Sequence, residues 1–216
     1  MAPEALTADR LHRDIKGLIM RGHFTPGRPL TVQALADEFG TSISPVRDAL
    51  NRLVGERLVE MQGGGGFAIP AITPRNTHDL YALHADLVRA AVKNADGFDT
   101  MIGPPLELVE GIADARSIAL VTAEFFALVA GCSGNLEHFE AITATGERLA
   151  VRRLHEGGTI RQGIELTALW NVTKSDNKSA IRSAMWQYHR RRLLRVDEIS
   201  VAASQSGRSQ GPAEIL

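Results

Sequence analysis

A single cysteine, Cys132, in 216 residues rules out an internal disulfide and a cysteine-rich zinc site. No run of about 18 apolar residues occurs, and the start of the chain lacks the apolar core of a signal peptide. A cytoplasmic chain with no membrane partner is expected. Charge of neither sign dominates, since the net is −1 at pH 7. With 44% hydrophobic residues, the chain has room for two small domains. Low-complexity sequence is confined to the tail after Ala202, ASQSGRSQGPAEIL, whose Ser, Gly and Gln content reads as frayed or disordered.

What is present is concentrated between Leu30 and Leu58, LTVQALADEFGTSISPVRDALNRLVGERL. Val32, Leu35, Ala36 and Phe39 share one face of a short helix, and Val46, Ala49, Leu50, Leu53 and Val54 share a face of a second. Gly40 supplies the backbone freedom of the turn between them. The spacing predicts a helix-turn-helix. Its second helix opens on Thr41, Ser42, Ser44, Pro45 and Arg47. A helix N-terminus offers unpaired N–H groups and partial positive charge to a phosphate, and proline is tolerated there. Hydroxyls can cap the helix or bond phosphate, while arginine can grip guanine O6 and N7 with two bonds. A capped helical hairpin with no nucleic-acid role is the plainer alternative, which the next segment argues against.

That segment, LVEMQGGGGFAIPAI, holds two β-like runs, Leu58 to Met61 and Phe67 to Ile69, around Gly63 to Gly66. A glycine tip at Gly64, Gly65 and Gly66 lets backbone enter a narrow groove without side-chain clash. A phosphate-cradling loop is disfavoured, because no Lys-Ser or Lys-Thr follows and no helix opens after the glycines. Leu6 to Arg21 reads as an amphipathic helix with Leu11, Ile15, Leu18 and Ile19 inward. From Thr73 onward only helices are predicted. Pro70 and Pro74 bracket a linker, and Thr73 or Asn76 can cap a helix from about Asn76 to Ala95. Further helices are expected at about Leu106 to Ala113, Ser117 to Ala130, Leu136 to Glu156, Thr159 to Thr173 and Asp176 to Ile199. Such an array buries its apolar faces as a bundle, a common place for a small ligand.

The first seventy residues resemble the DNA-binding domain of the GntR family of bacterial transcription regulators. The matching strings are IMRGHFTPGRPL, LADEFGTSISPVRDALNRLVGERLVE and the glycine wing. The S-x-S-P-V-R-D-A-L pattern is similar to the FadR-like or FCD branch, whose C-terminal domain is an all-helical effector bundle. That branch usually has Arg where this chain has Ile43, and a basic wing residue where it has Gly65. Charges over the N-terminal domain cancel, leaving Arg47, Arg52, Arg28 and Arg10 to supply positive potential. One copy is therefore expected to bind weakly, and a homodimer on a two-fold-related operator would double the contacts.

The C-terminal half resembles the FCD domain through HDLYALHADLVRAAVKNA, FFALVAGCSGNLEHF and IRSAMWQYHRRRL. Many FCD domains hold a divalent metal with an Asp and three His. The resemblance places those positions at Thr122, Phe126, Leu166 and Tyr188, so no metal or other cofactor is expected. Phe and Leu cannot coordinate Zn²⁺, Ni²⁺ or Mn²⁺. The expected pocket is apolar and suits a hydrophobic or acyl-bearing effector. The family's carboxylate-binding Arg of the first bundle helix falls at His84, and His189 lies one place from a ligand position.

Trp170, Trp186 and Tyr188 share helical spacing with Leu166, Leu169 and Met185 and are expected to be core. Arg148, Arg152 and Arg153 could present a cation to the pocket, but an exposed helix face is the preferred reading. The run His189-Arg190-Arg191-Arg192 with Arg195 is expected to be a solvated final turn complementing the helix dipole, or else a contact with the DNA domain or a dimer mate. Enzyme function is not expected: Cys132 with His138 or His155 would be nucleophile and base, yet no third member orients them.

The expected protein is thus mainly α. Residues 1–72 would form a winged helix-turn-helix with a small β-hairpin wing, 73–77 a linker, 78–199 an all-helical effector-binding and dimerisation bundle, and 200–216 a disordered tail. Its function would be ligand-responsive transcription regulation, with repression as the default, on a double-stranded DNA operator. The alternative is a dimeric relative whose bundle senses no ligand or which binds DNA only weakly.

Overall fold

The computed structural model describes residues 3–98, 101, 114–175 and 177–209. They divide into two compact units, one built on the chain up to Ile72 together with the chain from Ala202 on, the other on Thr73–Val201. The helix expected at Leu106 to Ala113 lies outside the described residues.

In the first unit, α1 (Pro3–Met20) packs on α3 (Ile43–Gly55), and α2 (Val32–Glu38) packs on α3 as well. The core is Leu11, Ile15 and Ile19 of α1, Leu35 and Ala36 of α2, and Val46, Ala49, Leu50 and Leu53 of α3, all buried. Leu18 is only partly buried. Glu56, at the end of α3, bonds His12 and Lys16 of α1 (Lys16 Nζ to Glu56 Oε2, 3.0 Å), which fixes the helix crossing. Burial opposes ionisation of Glu56, yet these two neighbours hold its carboxyl below the usual range. Behind the helices lies a three-stranded antiparallel sheet, with β3 (Phe67–Ala68) between β1 (Pro29–Leu30) and β2 (Glu60–Met61). Leu30 and Met61 both face Phe67 in register. The sequence pattern predicted only the hairpin. The β1 strand is two residues long and begins with proline, so it exists only because β3 offers it an edge.

The second unit is a helical bundle. Its α4 (Pro74–Asn94) packs on α5 (Ala115–Gly131), α6 (Leu136–Arg153) and α8 (Lys178–Leu193), while α7 (Thr159–Thr173) packs on α5 and α8. The helix starts are written locally. Thr73 and Asn76 cap α4 reciprocally, so residues 74–77 belong to the first turn of a helix and not to the expected linker. Asp114, Asn135 and Asn177 each accept two backbone N–H bonds at the starts of α5, α6 and α8. A single helix to Ile199 was expected after Asp176. Instead the chain breaks at Leu194 and Arg195 and resumes as α9 (Val196–Ser209), which runs into the segment expected to be disordered.

The bundle core gathers Val88, Val92, Phe125, Phe126, Val129, Ile142, Leu166, Leu169, Trp170, Ile181, Met185 and Tyr188. Trp186 is not part of it, being 56% exposed. Of the run expected to be a solvated turn, Arg190 and Arg191 are exposed, but His189 and Arg192 are not. Arg192 is buried, its Nη2 lies 2.9 Å from Glu156 Oε2 and its Nη1 2.6 Å from Glu165 Oε2. Its guanidinium sits 3.6 Å above the Tyr188 ring. Burial disfavours that charge, but the neighbouring Tyr188, Glu156 and Glu165 raise the Arg192 pKa above its ordinary value.

Candidate nucleic-acid interface and candidate ligand site

The turn between α2 and α3 is closed by the Thr41 amide, which donates to the Ala36 carbonyl at 2.9 Å. Gly40 has φ +60° with open space around it, so backbone conformation and not crowding demands glycine there. Ser42 is the N-cap of α3 with extended backbone, and its hydroxyl makes no capping bond. The residues that open α3 are largely exposed. Ser42 and Ser44 are exposed, Thr41 and Pro45 half-buried.

With Val46, Ala49, Leu50 and Leu53 buried, the opposite face of α3 is exposed and carries Ser44, Arg47 and Asn51. Asn51 was not singled out from the sequence, although it lies four residues after Arg47 on the same stripe. Asparagine can bond adenine with both its amide atoms, as arginine does guanine. Arg52 does not join this stripe: its Nη1 lies 2.5 Å from Asp9 Oδ1, tying α3 to α1. Arg10 pairs with Asp14 at 3.6 Å on α1. Arg28 is exposed just before β1, with its carbonyl accepting from the Ile69 amide.

The wing tip is a tight hairpin. Gln62 N–H donates to Gly66 O at 2.8 Å, and Gly65 N–H to Gln62 O at 3.1 Å. Gly64 and Gly65 have φ +100° and +83°, values that L side chains resist. Gly63 to Gly66 are all exposed. The unit therefore presents a largely exposed helix N-terminus, a polar stripe and a bare backbone tip, the parts that phosphate contact and base reading require.

Residues 7–69 match the model of the bacterial regulatory proteins, gntR family. The first unit thus carries a gntR-family DNA-binding domain. The chain is 26% identical over 201 residues to the Nta operon transcriptional regulator of Aminobacter aminovorans, covering 88% of this chain and 96% of that one. It is 30% identical over 111 residues to the regulator McbR of Escherichia coli K12, about half of each chain. The McbR/YncC structure superposes with TM-score 0.65 at 19% identity, covering 91% of this chain and 98% of that one. A putative GntR regulator from Rhodococcus sp. RHA1 superposes with TM-score 0.71 at 17% identity, covering 88% and 96%. These similarities are to transcription regulators and not to enzymes. Among the described residues no helix is long and apolar enough to cross a membrane.

The helical unit has a second feature of chemical interest, centred on the fully buried Phe126. Around its ring stand His84 (ring centroids 4.8 Å apart), Tyr188 (5.0 Å), Phe125 (5.2 Å) and His189 (5.4 Å), with the Arg153 guanidinium carbon 5.7 Å from its centroid. Trp170 lies beyond Phe125 at 5.9 Å, its ring tilted by 54°, and Leu166 belongs to the same core. Thus six of the seven pocket residues singled out from the sequence, His84, Thr122, Phe126, Leu166, Trp170 and Tyr188, are buried in this core. Arg148 is the exception, remaining half-exposed. Arg152 and Arg153 contradict the exposed-face reading. Arg152 is buried against Asn76 Oδ1 (3.0 Å) and Thr77 Oγ1 (3.3 Å), and Arg153 is 1% exposed. Burial lowers the Arg152 pKa to about 10.

The resemblance assigns the family's metal to the positions of Thr122, Phe126, Leu166 and Tyr188. Phe126 and Leu166 have no donor atom, and the Thr122 hydroxyl donates to Ile118 O at 2.7 Å. Burial pushes the Tyr188 phenol up, away from a phenolate ligand. His189 is engaged with His84 at 2.8 Å, and among the described residues no three His, Cys, Asp or Glu gather. Cys132 sits half-buried in the α5–α6 loop.

Proposed function

We propose that this chain is a gntR-family, ligand-responsive transcription regulator of the FCD-like type. It would act as a homodimer that sets one α3 in each of two major-groove half-sites and, by default, represses. The observation that carries the reading is the pairing of an exposed Ser44–Arg47–Asn51 stripe on α3 with a helical unit whose interior contains polar atoms that have no hydrogen-bond partner among the described residues. A bundle serving only dimerisation would have no reason to keep such groups, because buried polar atoms without partners are costly.

On this reading the effector enters without a resident metal, and its body is apolar, matching Phe125, Phe126, Leu166 and Trp170 around it. Effector binding shifts the balance between arrangements of the dimer that fit the operator and those that do not. The shift is bounded by the effector's differential affinity for the two. The name of the Aminobacter regulator places that protein at an operon, and the present chain would likewise act at promoters in the cytoplasm.

Native mass spectrometry of the purified protein, alone and with a duplex from its own promoter, tests the reading. A dimer that shifts onto the duplex, carrying an organic mass and no metal, is expected. A monomer, or a dimer that ignores the duplex, would count against it, and a stoichiometric metal would remove its metal-free part.

A further inference from the structure

We propose that the open groove between α4 and α8 is a binding site for a planar aromatic molecule that carries a phosphate. The inference goes beyond the regulator reading and does not depend on what the bundle interior holds, since none of Arg153, Tyr188 and His84 lines this groove. Its volume is about 390 Å³, in the range of small-molecule sites. Two helical stripes build it. Ser179, Arg182, Ser183 and Trp186 recur at three- and four-residue spacing along α8, and Asp86, Arg89 and Val92 do so along α4. The buried Val92 and Met185 supply apolar surface, while the charged and hydroxyl groups of both helices are exposed.

The aromatic half of the ligand follows from Trp186, whose indole lines the groove and is 56% exposed. An indole beside apolar surface is a stacking platform for a planar ring, and Trp and Arg are the residue types that dominate binding hot spots. The phosphate half follows from charge. Arg89 Nη2 donates to Asp86 Oδ1 at 2.8 Å, so the two charges on α4 cancel. Arg182 has no hydrogen-bond or ion-pair partner among the described residues, and His189, held neutral by burial, adds no charge. The groove is left with one positive charge in excess. Each guanidinium carries five N–H donors, of which the Asp86 bond takes one. The Ser183 hydroxyl accepts from Gln187 Nε2 at 3.5 Å and keeps its own O–H to donate. A phosphate brings three acceptor oxygens and more than one negative charge, enough to engage an arginine from each wall and a serine hydroxyl, whereas a carboxylate has oxygens for one fork alone.

The test titrates the full-length protein, by calorimetry and by tryptophan fluorescence, with adenosine monophosphate and phenyl phosphate against adenosine and inorganic phosphate. The two ring-bearing phosphates are expected to bind saturably, to raise the melting temperature and to quench tryptophan emission. Each should bind about tenfold or more tighter than adenosine or inorganic phosphate, because ring and phosphate are both needed. Which of the two binds tighter tells a nucleotide source from a simple aryl phosphate, and either order supports the site. Arg182→Gln should weaken binding about tenfold and Arg89→Gln several-fold. Trp186→Ala should weaken it about tenfold and abolish the fluorescence change. All three side chains are exposed, so the ligand-free melting temperature of each variant should stay within about 2 °C of wild type. No saturable binding of either ring-bearing phosphate, equal binding of inorganic phosphate, or an affinity unmoved by Arg182→Gln and Trp186→Ala would overturn the proposal. So would a Trp186→Ala variant that turns a dimer into a monomer, because the groove would then be covered by a second copy.

Discussion

His84 Nδ1 and His189 Nε2 lie 2.8 Å apart in the interior of the helical unit, and His189 Nδ1 lies 2.7 Å from the Met185 carbonyl. A carbonyl only accepts, so His189 carries its proton on Nδ1 and receives one at Nε2 from His84. Both rings are then neutral, with the lone pair of the relay left at His84 Nε2. Burial is the main cause, and the nearby Arg153 charge adds to it. The His84 pKa falls well below its ordinary value and that of His189 falls to about 3.

A pH dependence follows. The unfolded chain binds protons on these rings near the ordinary histidine value, whereas the folded chain resists. Their contribution is therefore full above about pH 6.5 and is lost as pH falls from there toward the folded values. Each ring contributes up to about 1.4 kcal/mol per pH unit in that window. Melting temperature should drop between pH 7 and 5, and the double variant His84→Asn, His189→Gln should flatten that slope. An unchanged slope would mean that the rings are protonated in the folded chain.

Arg47 and Arg52 should behave differently, although five residues separate them. Arg47→Ala is expected to cost about 1–3 kcal/mol in operator binding with little loss on random DNA. Asn51→Ala should follow the same pattern at a different base pair. Arg52→Ala, which removes an exposed pair with Asp9, should cost at most about 1 kcal/mol of folding stability and leave discrimination between duplexes intact. Anisotropy titrations on specific and scrambled duplexes check all three.

Glu156 is the hub of the buried polar network, taking Tyr81 and Arg192 on its two oxygens. Glu156→Ala leaves Arg192 with Glu165 alone and Tyr81 without an acceptor. A loss of about 3–5 kcal/mol is expected, read from urea unfolding followed by the fluorescence of buried Trp170.

The wing offers a local test. Gly65→Ala forces a side chain into φ +83° and should destabilise the β2–β3 hairpin by about 1–2 kcal/mol. Faster amide exchange at Gln62 and Phe67 would report it, with exchange in α4 to α8 unchanged.

Much of this was legible in the residues themselves. The helical spacing of Leu11 and Ile15, of Val46, Leu50 and Leu53, and the punctuation by Gly40 and Asn135 specify element and face together, because each is a local preference. What was not legible depends on partners distant in sequence. Arg153 and Arg192 look like surface arginines by default, and only the assembled bundle buries them. Arg52 finds Asp9, 43 residues away, and leaves the DNA stripe. The break at Leu194 and Arg195 has no proline or glycine to announce it. There the Arg195 guanidinium donates to the Glu156 carbonyl at 2.8 Å, a contact made across the bundle. β1 needed β3 before two residues could count as a strand.

The most direct test of the account is fluorescence anisotropy of a labelled duplex from the protein's own promoter, titrated with wild type and with Arg47→Ala at fixed salt. The account predicts at least tenfold tighter binding to that duplex than to a scrambled one, and loss of most of that margin in Arg47→Ala. Equal affinity for both duplexes, or a margin untouched by the substitution, would contradict it.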